Sequence, residues 1–155
     1  MSTRPNVFAD DGWEVEAEQM KLRGRFVGRA AGARELGATV YVLDPGSPGF
    51  RLHTHYAIEE LFVVLEGRPS LRTSDIEHEL SVGDVVACPR GPEGMHTFTN
   101  RTDEPARILA VSPLSFPDVA LYPELGKFGV VTRHPFEPVA EDGDQGIVGI
   151  FDLPS

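Results

Sequence analysis

Turn signals recur along this chain, separated by short β-prone runs. Asp44-Pro45-Gly46, Gly67-Arg68-Pro69, Thr73-Ser74-Asp75, Val82-Gly83-Asp84 and Asn100-Arg101-Thr102-Asp103 punctuate short runs rich in β-branched, aromatic and apolar residues. Those runs cover 37–43, 50–55, 60–65, 70–73, 77–80, 85–88, 96–99 and 107–112. Short strands at such spacing predict an all-β sandwich or barrel, and no amphipathic helical stretch competes with them. A length of 155 residues suits one domain with a sizeable core. The 41% hydrophobic content, 16 glycines and 13 prolines describe a globular, turn-rich chain rather than a disordered one.

Chemistry concentrates in two clusters. In a strand, side chains alternate between faces, so His53 and His55 point the same way and Thr54 the other. The run Glu59-Glu60-Leu61-Phe62-Val63-Val64-Leu65 reads as the next strand. If Glu60 shares the inward phase of Phe62 and Val64, it brings a carboxylate to the rim of an apolar lining and leaves Glu59 to solvent. Glu66-Gly67 ends that strand, and a hairpin into 70–73 is expected. His96 follows some forty residues after the first pair. Three imidazoles and a carboxylate could thus meet around one cation.

These residues carry a resemblance. His53-x-His55-x4-Glu60-x6-Gly67 resembles the first motif of the cupins. Gly83-x5-Pro89-x-Gly91, closed by His96-x3-Asn100, resembles the second. The chain departs from the pattern twice. Ser47 stands where the pattern has a glycine six positions before the first histidine, and four residues rather than two separate Gly91 from His96. The resemblance implies an antiparallel double-stranded β-helix, a jelly-roll barrel of about six to eight strands, with the metal held inside by His53, His55, Glu60 and His96. The barrel core is expected over 37–115. Residues 1–36 would form an N-terminal arm packing on the barrel or on a partner subunit, and 116–155 a C-terminal extension.

That ligand set suits a divalent transition metal, namely zinc, iron, manganese or nickel, with one or two positions left open. The functions it implies are isomerase, decarboxylase or dioxygenase chemistry on a small oxygenated, anionic molecule, or binding and sensing of such a molecule without turnover. Strand phase places Arg51 on the face of His53 and His55, either gripping an anionic ligand or pairing with a surface acid at the rim. Phe62 and Phe98 are expected as apolar walls of the binding cavity, and Tyr41 as a further substrate contact. No general acid or base stands out.

The remaining candidates have plainer readings. Cys88, before Pro89 in an apolar strand, reads as a buried small hydrophobe. Asn100 caps a turn. His78, within Glu77-His78-Glu79, and His134, beside Arg133 and Pro135, read as solvated. The arginine-rich stretch with Arg23, Arg25, Arg29 and Arg34 is interspersed with glycines and reads as a loop or short strand salt-bridged to the body.

A net charge of −10 argues against nucleic acid and anionic membranes as partners. One cysteine permits no intrachain disulfide. Met1-Ser2-Thr3-Arg4-Pro5 lacks the apolar core of a signal peptide and no long apolar run follows, so a cytoplasmic protein is expected. The apolar run Gly146-Ile147-Val148-Gly149-Ile150-Phe151 needs a partner strand, either in the barrel's outer sheet or in a second subunit, where it would make a homodimer.

Overall fold

The computed structural model describes residues 4–133 and 148–155. Its strands are β1 (Val15–Ala17), β2 (Leu22–Arg25), β3 (Leu36–Leu43), β4 (Thr54–His55), β5 (Glu60–Glu66), β6 (Ser70–Arg72), β7 (Glu77–Glu79), β8 (Val85–Cys88), β9 (Thr97–Thr99), β10 (Ala106–Pro113), β11 (Asp118–Tyr122), β12 (Lys127–Val131) and β13 (Val148–Asp152). The one α-helix among the described residues is the short α1 (Val27–Ala30), and none there is long and apolar enough to cross a membrane. His134 lies outside the described residues.

All pairings are antiparallel. One layer has the order β1-β2-β3-β10-β5-β8, and the other comprises β13-β12-β11-β4 and β7-β6-β9. A bridge between His53 and His96 joins the two parts of the second layer. It is closed by His53 N–H donating to the His96 carbonyl at 3.1 Å and His96 N–H donating to the His53 carbonyl at 2.9 Å. The architecture is the double-stranded β-helix that the turn spacing and the motifs predict.

The two layers enclose one core. Along β5 the alternation sends Phe62 and Val64 inward, where they are 5% and 2% exposed, and leaves Leu61 on the outer face at 41%. Leu43, Leu71, Leu80, Cys88, Phe98 and Ile108 complete the interior from the facing strands. The outer face of the first layer is covered at one end. Arg23 and Arg107 lie opposite Val42, and Arg25 opposite Val40. These three guanidinium groups flank Trp13, and Val40 and Val42 beneath them are buried.

Two expectations are corrected. The hairpin after Glu66 does not form, because β5 is flanked by β10 and β8 while β6 pairs with β7 and β9 in the other layer. Gly67 makes the crossing possible. Its φ of +74° is left-handed, and a Cβ there would stand 2.4 Å from the Pro105 carbonyl oxygen. Apolar alternation specifies which face of a strand is buried, not which strand lies beside it. The run over 50–55 is also shorter as a strand. Only Thr54–His55 belongs to β4, with His53 held by its bridge to His96.

Candidate metal centre

The bridge that joins the second layer also places the candidate ligands. His53 and His96 face each other across it, their rings 4.7 Å apart. His55 follows on β4, its ring 5.0 Å from that of His53. Glu60 reaches the same point from the first residue of β5, whereas Glu59 is exposed. His53, Glu60 and His96 each offer a ligand atom within 4.8 Å of the others. His55 Nε2 comes to 3.5 Å from Glu60 Oε2, and His96 Nε2 to 3.0 Å.

The loop before His96 absorbs the two residues that depart from the motif. Pro92–Gly94 form a 3-10 turn, and Gly94 packs so closely that a Cβ would stand 1.7 Å from the Pro89 carbonyl oxygen. Gly91 N–H donates to the His55 carbonyl at 2.7 Å, and the Thr54 hydroxyl donates to the Gly91 carbonyl. The loop is therefore clamped to β4, the strand that carries His55.

Each imidazole is oriented through Nδ1. That of His53 is 2.7 Å from the Arg51 carbonyl, that of His96 2.7 Å from the Gly94 carbonyl, and that of His55 2.5 Å from Asp118 Oδ2. Carbonyls accept and do not donate, so His53 and His96 carry their proton on Nδ1, and the ionised Asp118 imposes the same on His55. The Nε2 atoms of His55 and His96 are thereby left facing Glu60, where each could present a lone pair to a bound ion. Glu60 Oε2 is buried with no hydrogen-bond partner, since the short approach of His96 lacks hydrogen-bond alignment. Nitrogen–oxygen separations of 3.0 and 3.5 Å are the spacing that ligands about 2.1 Å from one cation adopt. The donor set and the orphaned oxygen fit a transition-metal ion.

The electrostatics agree with that fit. Burial, then His96 and His55, push the His53 imidazole down to about 4, which keeps it neutral. For Glu60, burial raises the carboxyl, but His96, His55 and His53 outweigh it and hold it down to about 2. Burial lowers His96, yet the neighbouring Cys88 and Glu60 side chains lift it to about 10. A proton on His96 therefore offsets Glu60 when no ion is bound. Asp118 is held below the ordinary carboxylate range, His55 and the Ala57 N–H overcoming its burial.

The other sequence candidates fall around this centre unequally. Phe62 and Phe98 are buried, with rings 4.6 Å apart, and their centroids lie 5.1 and 6.1 Å from His96. Tyr41 is half-buried, packs edge-on against Phe50 at 5.2 Å, and has its phenol raised by burial and by Glu60. A cavity of about 80 Å³ runs past Thr39, Tyr41 and Ser112 to Glu60, with Arg29 also in its lining. Arg51 is exposed and touches the site through its carbonyl. Cys88 is buried beside His96, Asn100 ties down its turn by accepting from Thr102 N–H at 3.0 Å, and His78 is exposed.

Sequence reasoning missed two residues, both on β11. Asp118 orients His55, and Tyr122 stacks on His53 with centroids 6.0 Å apart. The one signal was an acid opening an otherwise apolar strand, Asp118-Val119-Ala120-Leu121-Tyr122.

Comparisons with known proteins align with this geometry. The cupin-domain family model matches residues 39–112. An uncharacterized protein of Methanocaldococcus jannaschii is 33% identical over 72 residues, 45% of this chain and 56% of that protein, so the match spans little more than half of that relative. A crystal structure of a sugar phosphate isomerase from a cupin superfamily, from Silicibacter pomeroyi, is 29% identical with a TM-score of 0.69, covering 81% of this chain and 85% of that one. A candidate sugar phosphate isomerase of Acidithiobacillus ferrooxidans reaches a TM-score of 0.72 at 22% identity, over 86% of this chain and 78% of its own, a likeness of fold. A polyketide cyclase from Streptomyces resistomycificus is 26% identical with a TM-score of 0.55, over 61% of this chain and 66% of its own.

Proposed function

The chain belongs to the cupin superfamily, and we propose from that premise that it is a metal-dependent enzyme acting on a small oxygenated, anionic molecule, by isomerisation in preference to decarboxylation or dioxygenation. The observation that carries the metal is Glu60 Oε2, buried without a hydrogen-bond partner and faced by imidazole nitrogens at 3.0 and 3.5 Å. Support for isomerisation comes from the 29% identical sugar phosphate isomerase, which aligns over 85% of its length.

His53, His55, Glu60 and His96 would hold the ion. Bound there, zinc, iron, manganese or nickel would supply Lewis acidity toward a carbonyl or hydroxyl oxygen. Glu60 offsets part of the cation's charge. Phe62 and Phe98 keep water from one side of His96 and strengthen the local field. Tyr41 keeps its proton at neutral pH, because burial and Glu60 raise its phenol, and so presents a donor to a ligand oxygen. Arg51, exposed beside His53, is the proposed anion clamp.

A second reading, binding or sensing without turnover, has one observation in its favour. The titratable groups that line the cavity are Arg29, Tyr41 and Glu60, and Glu60 is committed to the ion. Incubating metal-loaded protein with aldose and ketose phosphates, followed by NMR and calorimetry, separates the readings. Interconversion that disappears on chelation is expected. Saturable binding without interconversion would select the second reading, and neither would overturn both.

The functional unit is proposed to be a homodimer, supported by β13, where Ile150 and Phe151 are 65% and 50% exposed on the edge strand of its sheet. Light scattering should give twice the chain mass of 16.9 kDa.

A further inference from the structure

We propose that Asp118 is a positioning residue of the metal centre, holding His55 with Nε2 toward Glu60 from a strand outside the matched cupin domain. The inference rests on reading His53, His55, Glu60 and His96 as metal ligands. Asp118 opens β11, beyond residues 39–112, and reaches the site because β11 pairs with β4, Ala120 opposite His55 and Leu121 opposite Thr54.

Its geometry is specified at both oxygens. Oδ2 lies 2.5 Å from His55 Nδ1, and Oδ1 accepts from Ala57 N–H at 2.9 Å. With its side chain fully buried, the carboxylate has no solvent to turn to, so the two bonds fix its rotation. The Tyr56 N–H, donating to the Val119 carbonyl at 3.0 Å, holds the two backbones in register beside it.

This makes the three imidazoles unequal. His53 and His96 are oriented by neutral carbonyls two residues away in sequence, whereas His55 is oriented by a buried charge 63 residues away. A carboxylate behind an imidazole raises the electron density at the far nitrogen and secures its tautomer, and losing such a partner typically weakens metal binding by about 10- to 100-fold. Asp118→Asn is nearly isosteric but brings one acceptor oxygen to two donors. Either Ala57 N–H or His55 Nδ1–H then faces an NH2 group, and the second arrangement favours the tautomer that occupies Nε2.

The test measures Zn²⁺ affinity of the full chain by competition with a chromophoric chelator, together with the visible spectrum of the Co²⁺-substituted protein and apo-protein melting. Asp118→Asn should weaken Zn²⁺ binding by about 10- to 100-fold and shift the Co²⁺ bands. In a His55→Ala background it should change affinity by less than about twofold, because the coupled partner is gone. Asp118→Glu, which keeps the charge, should recover part of the affinity. Wild-type affinity and spectrum in Asp118→Asn, with a lowered apo melting point, would reduce Asp118 to an anchor for Ala57. Wild-type protein that binds no metal would overturn the metal reading itself. Should Asp118→Asn fail to fold, long-range ¹H–¹⁵N spectra of Zn²⁺-loaded wild type decide the matter, since a protonated Nε2 on His55 contradicts the proposal.

Discussion

Two charged clusters sit on opposite faces of the first layer. On the outer face, Arg23, Arg25 and Arg107 surround Trp13, with guanidinium carbons 4.9, 6.0 and 5.9 Å from its ring. Arg107 is 7% exposed in its side chain, and its donors go to Glu66 at 2.8 Å and to the Val7 carbonyl at 3.0 Å. The Nε of Arg23 and of Arg25 lack partners, but each guanidinium bonds through its terminal nitrogens, to Asp44 and to Asp11 respectively. On the inner face, Glu60 Oε2 faces the Nε2 atoms of imidazoles whose Nδ1 atoms are engaged elsewhere. The outer cluster is closed by protein groups and fastens the segment from Asn6 to Asp11. The inner cluster is closed only when a cation or a proton enters it, which separates a binding centre from a structural one more sharply than counting charges does.

Removing an inner imidazole breaks the comparison most severely. His96→Ala or His53→Ala should lower metal content from about one equivalent to near zero by inductively coupled plasma mass spectrometry while circular dichroism stays that of a β protein, since each deletes one of the four proposed ligands. Retained metal in both variants would place the ion elsewhere. Chelation of the wild type comes next. An ion present at 100 to 1,000 times its dissociation constant stabilises by about 2.7–4.1 kcal/mol, so apo protein should melt about 10 °C lower for a chain of this size. Unchanged melting would mean that the centre is not occupied under those conditions. In the outer cluster, Arg107→Ala should destabilise by about 2 kcal/mol in urea denaturation, through lost bonds to Glu66, Val7 and Ala9, with metal content untouched. Metal loss in that variant would join the two clusters into one system. His78→Ala, at an exposed position of β7, should change stability by less than about 0.5 kcal/mol and metal content not at all.

Legibility followed sequence distance. The strands 60–66 and 85–88 could be read because alternation and turn residues act locally, and His53-x-His55 because two residues in a strand share a face wherever the strand lies. Glu60 over Glu59 also followed from phase, once Phe62 was taken as inward. The crossing at Gly67 was not legible, because an isolated strand does not encode its neighbours. Tyr122 beside His53, Asp118 beside His55 and Trp13 beside Arg107 were equally hidden. Each contact joins residues 63 to 94 positions apart, far beyond the span of one strand and its turn, and none is announced by local composition. For Asp118 the separation is 63 residues.

The sequence by itself determined a double-layered antiparallel β protein of the cupin superfamily and the identity of the inward histidines and glutamate, because period-two side-chain placement and turn chemistry are local. Only the tertiary structure decided which strands lie side by side, that β11 brings Asp118 against His55, and that Glu60 Oε2 is left without a hydrogen bond, because a polar atom is satisfied or orphaned by groups that folding alone brings within about 3 Å of it.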